Sequence, residues 1–165
     1  MTDLPADFFL RDALDVAPRL LGCTLEVGER RLIVTETEAY RGEADTACHA
    51  HHGRTKRTEM LYRRGGFVYV YLCYGVHSLL NIITGAEGDP QGVLIRCCEG
   101  AAGPGKLTRA LGVDLSFNGL DLLATDRIGL YQGTPCAFTT APRVGIGYAS
   151  PEDRARLWRF IRKGE

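Results

Sequence analysis

The chain has 165 residues, a length that predicts one domain spanning residues 1–165. Its composition, 45% hydrophobic and 24% charged, excludes a disordered, collagen-like or coiled-coil chain. Twenty Lys and Arg balance twenty Asp and Glu, and this neutrality is unlike the basic excess of most nucleic-acid binders. No apolar run approaches the roughly 18 residues of a membrane span, and the first residues do not resemble a signal peptide. We therefore expect a cytoplasmic protein without a membrane partner.

The N-terminal part of the chain predicts a short helix followed by a β-hairpin. Asp15 is a candidate N-cap for a helix over residues 16–21. Residues 23–27 and 31–35 are β-rich and flank Gly28-Glu29-Arg30, a combination typical of a hairpin with a glycine-containing loop.

The middle of the chain carries the strongest strand signals. Residues 67–74 (FVYVYLCY) and 76–84 are apolar runs separated by Gly75, which predicts two adjacent strands or one strand with a sharp turn. Residues 93–98 predict a third strand after a turn-rich segment.

The C-terminal part predicts helices at its edges. Residues 103–112 (GPGKLTRALG) indicate a loop that enters a helix, and residues 143–147 are a short strand candidate. Ser150-Pro151-Glu152-Asp153 resembles an N-cap followed by proline at the first helical position. With strands clustered in the middle, the pattern is α+β and built on an antiparallel sheet rather than on repeated βαβ units.

Two carboxylates lie in the segment ETEAY at residues 36–40. Because side chains alternate along a strand, Glu36 and Glu38 point to the same face. A solvated strand face is the simplest interpretation of this pattern alone; a catalytic pair is the alternative.

The sequence CHAHH at residues 48–52 is the obvious metal candidate. A zinc site usually needs two ligand pairs held apart by a folded spacer, and no second pair accompanies Cys48, His51 and His52. The six cysteines contain no C-x-x-C pair, so we expect reduced thiols and no bound metal. A Cys/His metal-dependent hydrolase remains an alternative function.

Aromatic and polar side chains interrupt the apolar strands. Tyr69 and Tyr71 share a face while Tyr74 falls at the turn, an arrangement that suits either packing or stacking on nucleobases. Asn81 within LLNII and Arg96 after VLI both require polar partners if they are buried.

A basic run follows the CHAHH segment. Its side chains could contact phosphates, which would add salt dependence to binding without reading sequence. The residues of this basic run are Arg54, Lys56, Arg57, Arg63 and Arg64.

Taken together, these pieces resemble the alkyladenine (3-methyladenine, methylpurine) DNA glycosylase family, from about residue 8 to residue 161. No motif alone is specific, but their order and spacing are. The motifs are ETEAY at 36–40, His49 nine residues after that tyrosine, YVYLCYG at 69–75, Asn81, VLIR at 93–96, GPGKL at 103–107 and RVGIGYA at 143–149. The resemblance implies a single domain with a curved, mainly antiparallel sheet flanked by short helices.

The resemblance also implies a catalytic group and its helpers. Glu38 would be the general base that activates a water for attack on the sugar C1′. Arg96, with the carbonyl of Val144, would help to hold that water. Because no lysine takes the nucleophile position, the implied chemistry is monofunctional hydrolysis that leaves an abasic site.

The remaining motif residues would form the DNA-reading part of the site. Tyr40, His49 and Tyr71 would wall a pocket around a flipped base, with Asn81 on its floor excluding normal purines. Tyr74 would intercalate into the duplex and fill the gap that the base leaves.

The family comparison implies a base excision repair enzyme without cofactors. Its substrate would be damaged double-stranded DNA carrying 3-methyladenine, 7-methylguanine, hypoxanthine or ethenoadenine, and the protein would be a monomer, associated with the nucleoid if bacterial. The alternative from another class is a non-catalytic nucleic-acid-binding module on the same scaffold, against which the presence of Glu38 and Arg96 argues.

Overall fold

A computed structural model describes residues 2–164 of the chain. Three α-helices flank the sheet: α1 (Ala13–Arg19), α2 (Pro104–Leu111) and α3 (Pro151–Ala155). The strands are β1 (Thr24–Val27), β2 (Arg30–Tyr40), β3 (Val68–Cys73), β4 (His77–Thr84), β5 (Gln91–Cys98), β6 (Ala101–Ala102), β7 (Gly129–Tyr131), β8 (Phe138–Ala141) and β9 (Arg159–Arg162). Short 3-10 turns lie at Ala6–Phe8, His49–His52, Glu59–Tyr62 and Leu115–Phe117.

The strands form one curled sheet in which neighbouring strands run antiparallel. Its main order is β3-β4-β5-β2-β1-β7, while β6 pairs with β5, and β9 joins β8 to β2. The predicted α+β class with an antiparallel sheet is therefore confirmed. Within residues 2–164, no helix is both long and apolar enough to cross a bilayer.

The predicted hairpin is confirmed, but its second strand is longer than expected. Val27 pairs with Arg30 across a turn that begins at Gly28, whose φ of 61° suits glycine. Strand β2 then continues to Tyr40, so the two carboxylates of ETEAY lie inside a strand that pairs with β5 and β9.

The predicted first helix is displaced by one turn. Asp12, not Asp15, is the N-cap, and its side chain accepts a hydrogen bond from the N–H of Leu14. The buried residues explain the shift, because a helix that starts at residue 13 places Ala13, Val16 and Ala17 on its core-facing side. Asp15 instead lies in the first turn.

The other predictions divide between the centre and the C-terminal end. The three central strands, helix α2 and the Ser150 cap of α3 are confirmed; the Ser150 hydroxyl accepts from the N–H of Asp153. Residues 143–147 are wrong as a strand, since they form bends around Gly145 at φ 74°. Strands β8 and β9 were not predicted.

Side-chain alternation gives the two faces of the central sheet different contents. One face supplies Val70, Ile82 and Ile95, which pack with α1 and α2 in the main hydrophobic core. The opposite face carries the polar and aromatic side chains. A mainly apolar layer thus lies behind that polar face.

Candidate active site

The candidate site is built on a row of residues that crosses four strands. Glu38 of β2 pairs with Leu94 of β5, Leu94 pairs with Asn81 of β4, and Asn81 pairs with Tyr69 of β3. Cross-strand partners have side chains on the same face, so the sheet brings Glu38 together with residues that lie 31 to 56 positions later in the chain. The next positions along β2 and β3, Tyr40 and Tyr71, extend this face.

Glu38 is completely buried and both of its oxygens accept hydrogen bonds. The Tyr40 hydroxyl donates to Oε1 at 2.9 Å, and the backbone N–H of Val144 donates to Oε2 at 2.7 Å. The Nε of Arg96 lies 4.0 Å from the same Oε2. Glu38 is therefore not on a solvated strand face, which was the simplest interpretation of the sequence pattern.

Burial and these partners have opposite effects on the pKa of Glu38. Desolvation raises its pKa above the ordinary value, whereas the Val144 N–H, the charge of Arg96 and the Tyr40 hydroxyl lower it. A carboxylate with a raised pKa and oriented oxygens is suited to accept a proton in a reaction.

Arg96 stands at an irregularity in the pairing of β2 with β5. Glu36 pairs with Cys97 but Thr37 pairs with Ile95, so Arg96 has no opposite residue, as in a β-bulge. Its Nε lies 3.9 Å from Glu36, which Arg159 of β9 also holds at 2.6 Å. The bulge thus directs one cation towards both carboxylates of ETEAY.

A buried ion pair positions the segment that contains Val144. Arg143 makes two hydrogen bonds to Asp45, at 2.7 and 2.9 Å, and a third to the carbonyl of Ala39. Its guanidinium is stacked between the rings of Tyr40 and Trp158, 4.8 and 4.9 Å from their centroids. Both members of the pair are excluded from solvent, so Arg143 is fixed in position. The N–H of the next residue, Val144, is thereby placed where it donates to Glu38.

A cavity of about 40 Å³ and a groove of about 690 Å³ share part of their lining, including Tyr40, whose hydroxyl donates to Glu38. Four aromatic residues line both spaces and so form the mouth between them: Tyr40, His49, Tyr71 and Tyr148. Asn81 and Tyr69 line the inner cavity, and Arg96 and Val144 line the groove. The predicted pocket residues are thus brought together.

His49 is fixed within this aromatic cluster. Its Nδ1 lies 2.9 Å from the Tyr69 hydroxyl, and its ring meets that of Tyr71 edge-on with centroids 4.5 Å apart. Burial lowers the pKa of His49 to about 4, helped by the charges of Arg57 and His52. The imidazole is therefore neutral at pH 7.

Asn81 is buried, and backbone carbonyls satisfy its amide nitrogen. The nitrogen donates to the carbonyls of Tyr69 at 3.2 Å and Leu79 at 3.4 Å. These two bonds orient the amide, so its oxygen is the atom left to act as an acceptor elsewhere.

Tyr74 occupies the turn between β3 and β4 and is 94% exposed. Its φ of 53° is the one positive value for a non-glycine residue within 2–164, and Gly75 follows at 68°. Val76, 71% exposed, completes an apolar tip that borders the groove through Tyr74. Such a tip carries no packing role in the free protein.

The basic run is dispersed rather than forming one patch. Arg64 makes a paired contact with Asp121 at 2.7 and 3.4 Å and also lies over Phe67, so its charge is already compensated. Arg54 lies over the Tyr62 ring, and Lys56 is exposed. The groove itself contains a different set of cations, namely Arg96, Lys106 and Arg109.

Residues 48–52 do not assemble a cluster of potential metal ligands. Within 2–164 no three His, Cys, Asp or Glu side chains come close enough to hold one ion. Cys48 is buried, His51 Nδ1 contacts the carbonyl of Glu43, and burial raises the pKa of the Cys48 thiol. All six cysteines are free thiols in the structure.

Sequence reasoning missed Asp45, Arg143 and Tyr148 as parts of the site. Tyr148 is 67% exposed, yet its hydroxyl donates to the carbonyl of Ala47 at 2.8 Å. An arginine and a tyrosine within the RVGIGYA motif were visible in the sequence, but their partners lie about 100 residues earlier and no local pattern identifies them.

A known protein family matches almost the whole chain. The model of the methylpurine-DNA glycosylase family matches residues 7–102 and 99–165. Three similar proteins each carry the provisional name 3-methyladenine DNA glycosylase. They come from Nitrosococcus oceani (47% identity, covering 97% of this chain and 90% of the relative), Borreliella afzelii (41%, 95% and 94%) and Rickettsia rickettsii (39%, 96% and 88%). The chain therefore belongs to the methylpurine-DNA glycosylase family.

Proposed function

We propose that this protein removes alkylated purines from duplex DNA by hydrolysing the bond between base and sugar. The observation that carries the proposal is Glu38, a completely buried carboxylate whose two donors, Tyr40 and the N–H of Val144, belong to residues that line the groove. Burying a carboxylate costs free energy because desolvation opposes its ionisation, so a completely buried acid outside the hydrophobic core is a candidate functional group. Family membership supplies the substrate class.

The first step is extrusion of the damaged nucleotide. A base inside a duplex hides its glycosidic bond, so the enzyme must turn the nucleotide out of the stack. The exposed Tyr74 ring fills the gap and offsets part of the lost stacking. The extruded base then enters between Tyr40, His49 and Tyr71, whose faces favour a ring that carries a positive charge.

Hydrolysis follows at the sugar C1′. The Glu38 carboxylate accepts a proton from a water molecule whose oxygen forms the new bond to C1′, while Arg96 and the carbonyl of Val144 orient that water. The electron pair of the glycosidic bond leaves with the base. Glu38 also lies where the sugar develops oxocarbenium charge, as carboxylates do in glycoside hydrolysis.

The charge of the base explains why no cofactor is needed in this scheme. A 3-methyladenine or 7-methylguanine base is cationic and becomes neutral on departure, so it leaves without prior protonation. Neutral hypoxanthine and ethenoadenine must gain a proton on the ring before they leave. We therefore place all four within the substrate range, with the cationic bases released faster. The product is an abasic site, and the enzyme acts as a monomer in the compartment that holds the DNA.

The decisive experiment is base release by the native protein and by Glu38→Gln. Duplexes carrying 7-methylguanine or hypoxanthine serve as substrates, and binding to the same duplexes is measured in parallel. A general base contributes about 10²–10⁴-fold, so the variant loses at least two decades of rate and retains binding. The matched control is Glu26→Gln on β1, the same carboxylate-to-amide change in an ion pair with Arg31 that borders neither the cavity nor the groove. This variant stays within about tenfold of the native rate.

Each contrary result has a definite meaning. Binding without base release by the native protein would favour the non-catalytic binding module. Base release that Glu38→Gln leaves unchanged would retain the function but assign proton transfer to another group. Loss of release on chelation, restored by zinc, would favour a metal-dependent hydrolase.

A further inference from the structure

Arg96 is placed midway between two carboxylates. Its Nε lies 3.9 Å from Oε1 of Glu36 and 4.0 Å from Oε2 of Glu38. Both separations exceed hydrogen-bonding distance, and the guanidinium makes no hydrogen bond to any residue within 2–164. The Arg96 side chain lines the groove and is only 20% exposed. A largely buried cation thus keeps its N–H donors uncommitted.

This spacing differs from that of an arginine that meets a single carboxylate. Such a pair commonly forms two parallel, charge-assisted hydrogen bonds at about 2.7–2.9 Å. If Glu38 alone attracted Arg96, the guanidinium would close on Oε2 of Glu38. That contact would occupy the oxygen that accepts the proton and the donors that hold the water. A second attraction from another direction therefore has to act on Arg96.

Glu36 supplies the second attraction from a fixed position. It lies on the same face of β2 as Glu38, two residues earlier. Arg159 on β9 donates to Oε1 of Glu36 at 2.6 Å, and its Nε donates to the carbonyl of Pro142 at 2.8 Å. Since Arg159 is tied to the backbone as well, it holds Glu36 where it is and prevents this carboxylate from closing on Arg96.

We propose that Glu36 is a positioning residue for the reaction: anchored by Arg159, it balances the attraction of Glu38 for Arg96 and keeps the arginine donors available for the attacking water. The part that concerns the water rests on the proposed function, whereas the balance of attractions does not. Glu36 itself touches no substrate and takes no proton. The two carboxylates of ETEAY then have different tasks, one accepting the proton and the other placing the cation beside it.

The balance predicts opposite effects when either member of the anchoring pair is removed. In Glu36→Gln, Arg96 closes on Glu38 and a neighbouring negative charge is lost, and both changes lower the pKa of Glu38. In Arg159→Met, the released Glu36 draws Arg96 away from Glu38 and a positive charge is lost, and both changes raise that pKa. A general loosening of the sheet would instead shift the pKa in the same direction in the two variants.

The other titratable and charged groups around Glu38 are common to both variants. The Cys97 thiol lies opposite Glu36 on β5 and is neutral at pH 7, because burial and the Glu36 carboxylate raise its pKa to about 11. The remaining groups are the hydroxyls of Tyr40, Tyr71 and Tyr148, whose pKa burial raises, and the guanidinium of Arg143, which is paired with Asp45. Groups that both variants share cannot produce shifts of opposite sign.

The balance is tested directly by a ¹³C NMR titration of the carboxylates in the full-length protein without DNA. The signal that is missing from Glu38→Gln assigns Glu38. We expect the titration midpoint of Glu38 to fall by about one pH unit in Glu36→Gln and to rise by about one pH unit in Arg159→Met. Midpoints that stay in place, or that move in the same direction in both variants, would overturn the proposal.

The effect on the reaction is measured as release of 7-methylguanine from a duplex. Both variants should lose about 10²-fold in kcat at pH 7, because a misplaced Arg96 no longer orients the water. The acid limbs of their pH profiles should move in opposite directions, as the NMR midpoints do. A loss below about tenfold in Glu36→Gln would contradict the positioning role.

The matched controls are Glu26→Gln and Arg31→Met. They break an ion pair of the same length, 2.6 Å, that lies outside both the cavity and the groove. Each control should stay within about tenfold of the native rate, with an unchanged pH profile. Absence of base release by the native protein would overturn the proposed function, while the NMR titration would still decide whether Glu36 balances Glu38.

Discussion

The two ends of the candidate site are constructed in opposite ways. At one end Glu38 is completely buried, and its partners come from its own strand, from β5 and from the bend after Arg143. At the other end Tyr74 is 94% exposed on a turn of three residues between β3 and β4. The position of the Glu38 carboxylate is fixed by contacts between distant parts of the chain. The position of the Tyr74 ring is set by the backbone geometry of its own turn.

Because of this difference, the two ends affect different properties of the protein. Substitutions around Glu38 disturb the core, so stability and reaction rate change together. Substitutions at Tyr74 touch no packed neighbour, so they affect contact with DNA without a change in folding. Variants at the two ends can therefore test this separation, and the largest effect is expected at the buried end.

Arg143→Met should destabilise the fold far more than the loss of an exposed ion pair. It leaves Asp45 buried without a counter-charge, and breaking a buried pair in this way costs about 3–5 kcal/mol. Urea denaturation followed by circular dichroism measures the change in the free energy of unfolding. The control is Arg11→Met, which removes an exposed contact to Asp15 worth about 0.2–1 kcal/mol. A loss below about 1 kcal/mol for Arg143→Met would show that the pair does not hold this end together.

The pH dependence of base release should report the buried environment of Glu38. The base must be ionised to accept a proton, and burial raises its pKa above the ordinary value of 4.5. Activity is therefore complete above the raised pKa and falls about tenfold per pH unit as the pH drops below it. The measurement is kcat/KM between pH 4 and pH 8 on a 7-methylguanine duplex. A midpoint at or below 4.5 would mean that Val144, Arg96 and Tyr40 outweigh desolvation.

Tyr74→Ala should weaken capture of a lesion in duplex DNA but leave the free energy of unfolding unchanged. Stacking of one base on an aromatic ring is worth about 1–3 kcal/mol, and this loss applies where a gap in the duplex must be filled. Binding is compared on duplex and single-stranded oligonucleotides with the same lesion, with Tyr74→Phe as the variant that keeps the ring. Equal losses on both substrates would contradict the intercalation role.

The sequence predicts the local parts of this site better than its long-range parts. Alternation along a strand correctly places Tyr69 with Tyr71, because that relationship needs only a period of two. Registers between strands are set by side chains from distant segments, so the row from Glu38 to Tyr69 has no local signal. The Asp45–Arg143 pair spans 98 residues and is invisible for the same reason.

The errors also have local physical causes. Asp12 and Asp15 are equally good cap residues, and burial of Ala13 and Val16 decides between them. Strands β8 and β9 are short and half-polar (FTTA and RFIR), so neither shows an apolar run, and they form through pairing with each other and with β2.

The smallest predicted effect concerns the basic run outside the groove. If Lys56 and Arg63 contact phosphates, each substitution by glutamine should reduce the slope of log K against log salt by about 0.9 for duplex DNA. Arg64→Gln is the internal control, because Asp121 already neutralises that guanidinium and its loss should leave the slope unchanged. Binding is measured between about 50 and 200 mM salt on an undamaged duplex. Slopes unaffected by these exposed cations would assign the phosphate contacts to the groove, which Lys106 and Arg109 line together with Tyr74.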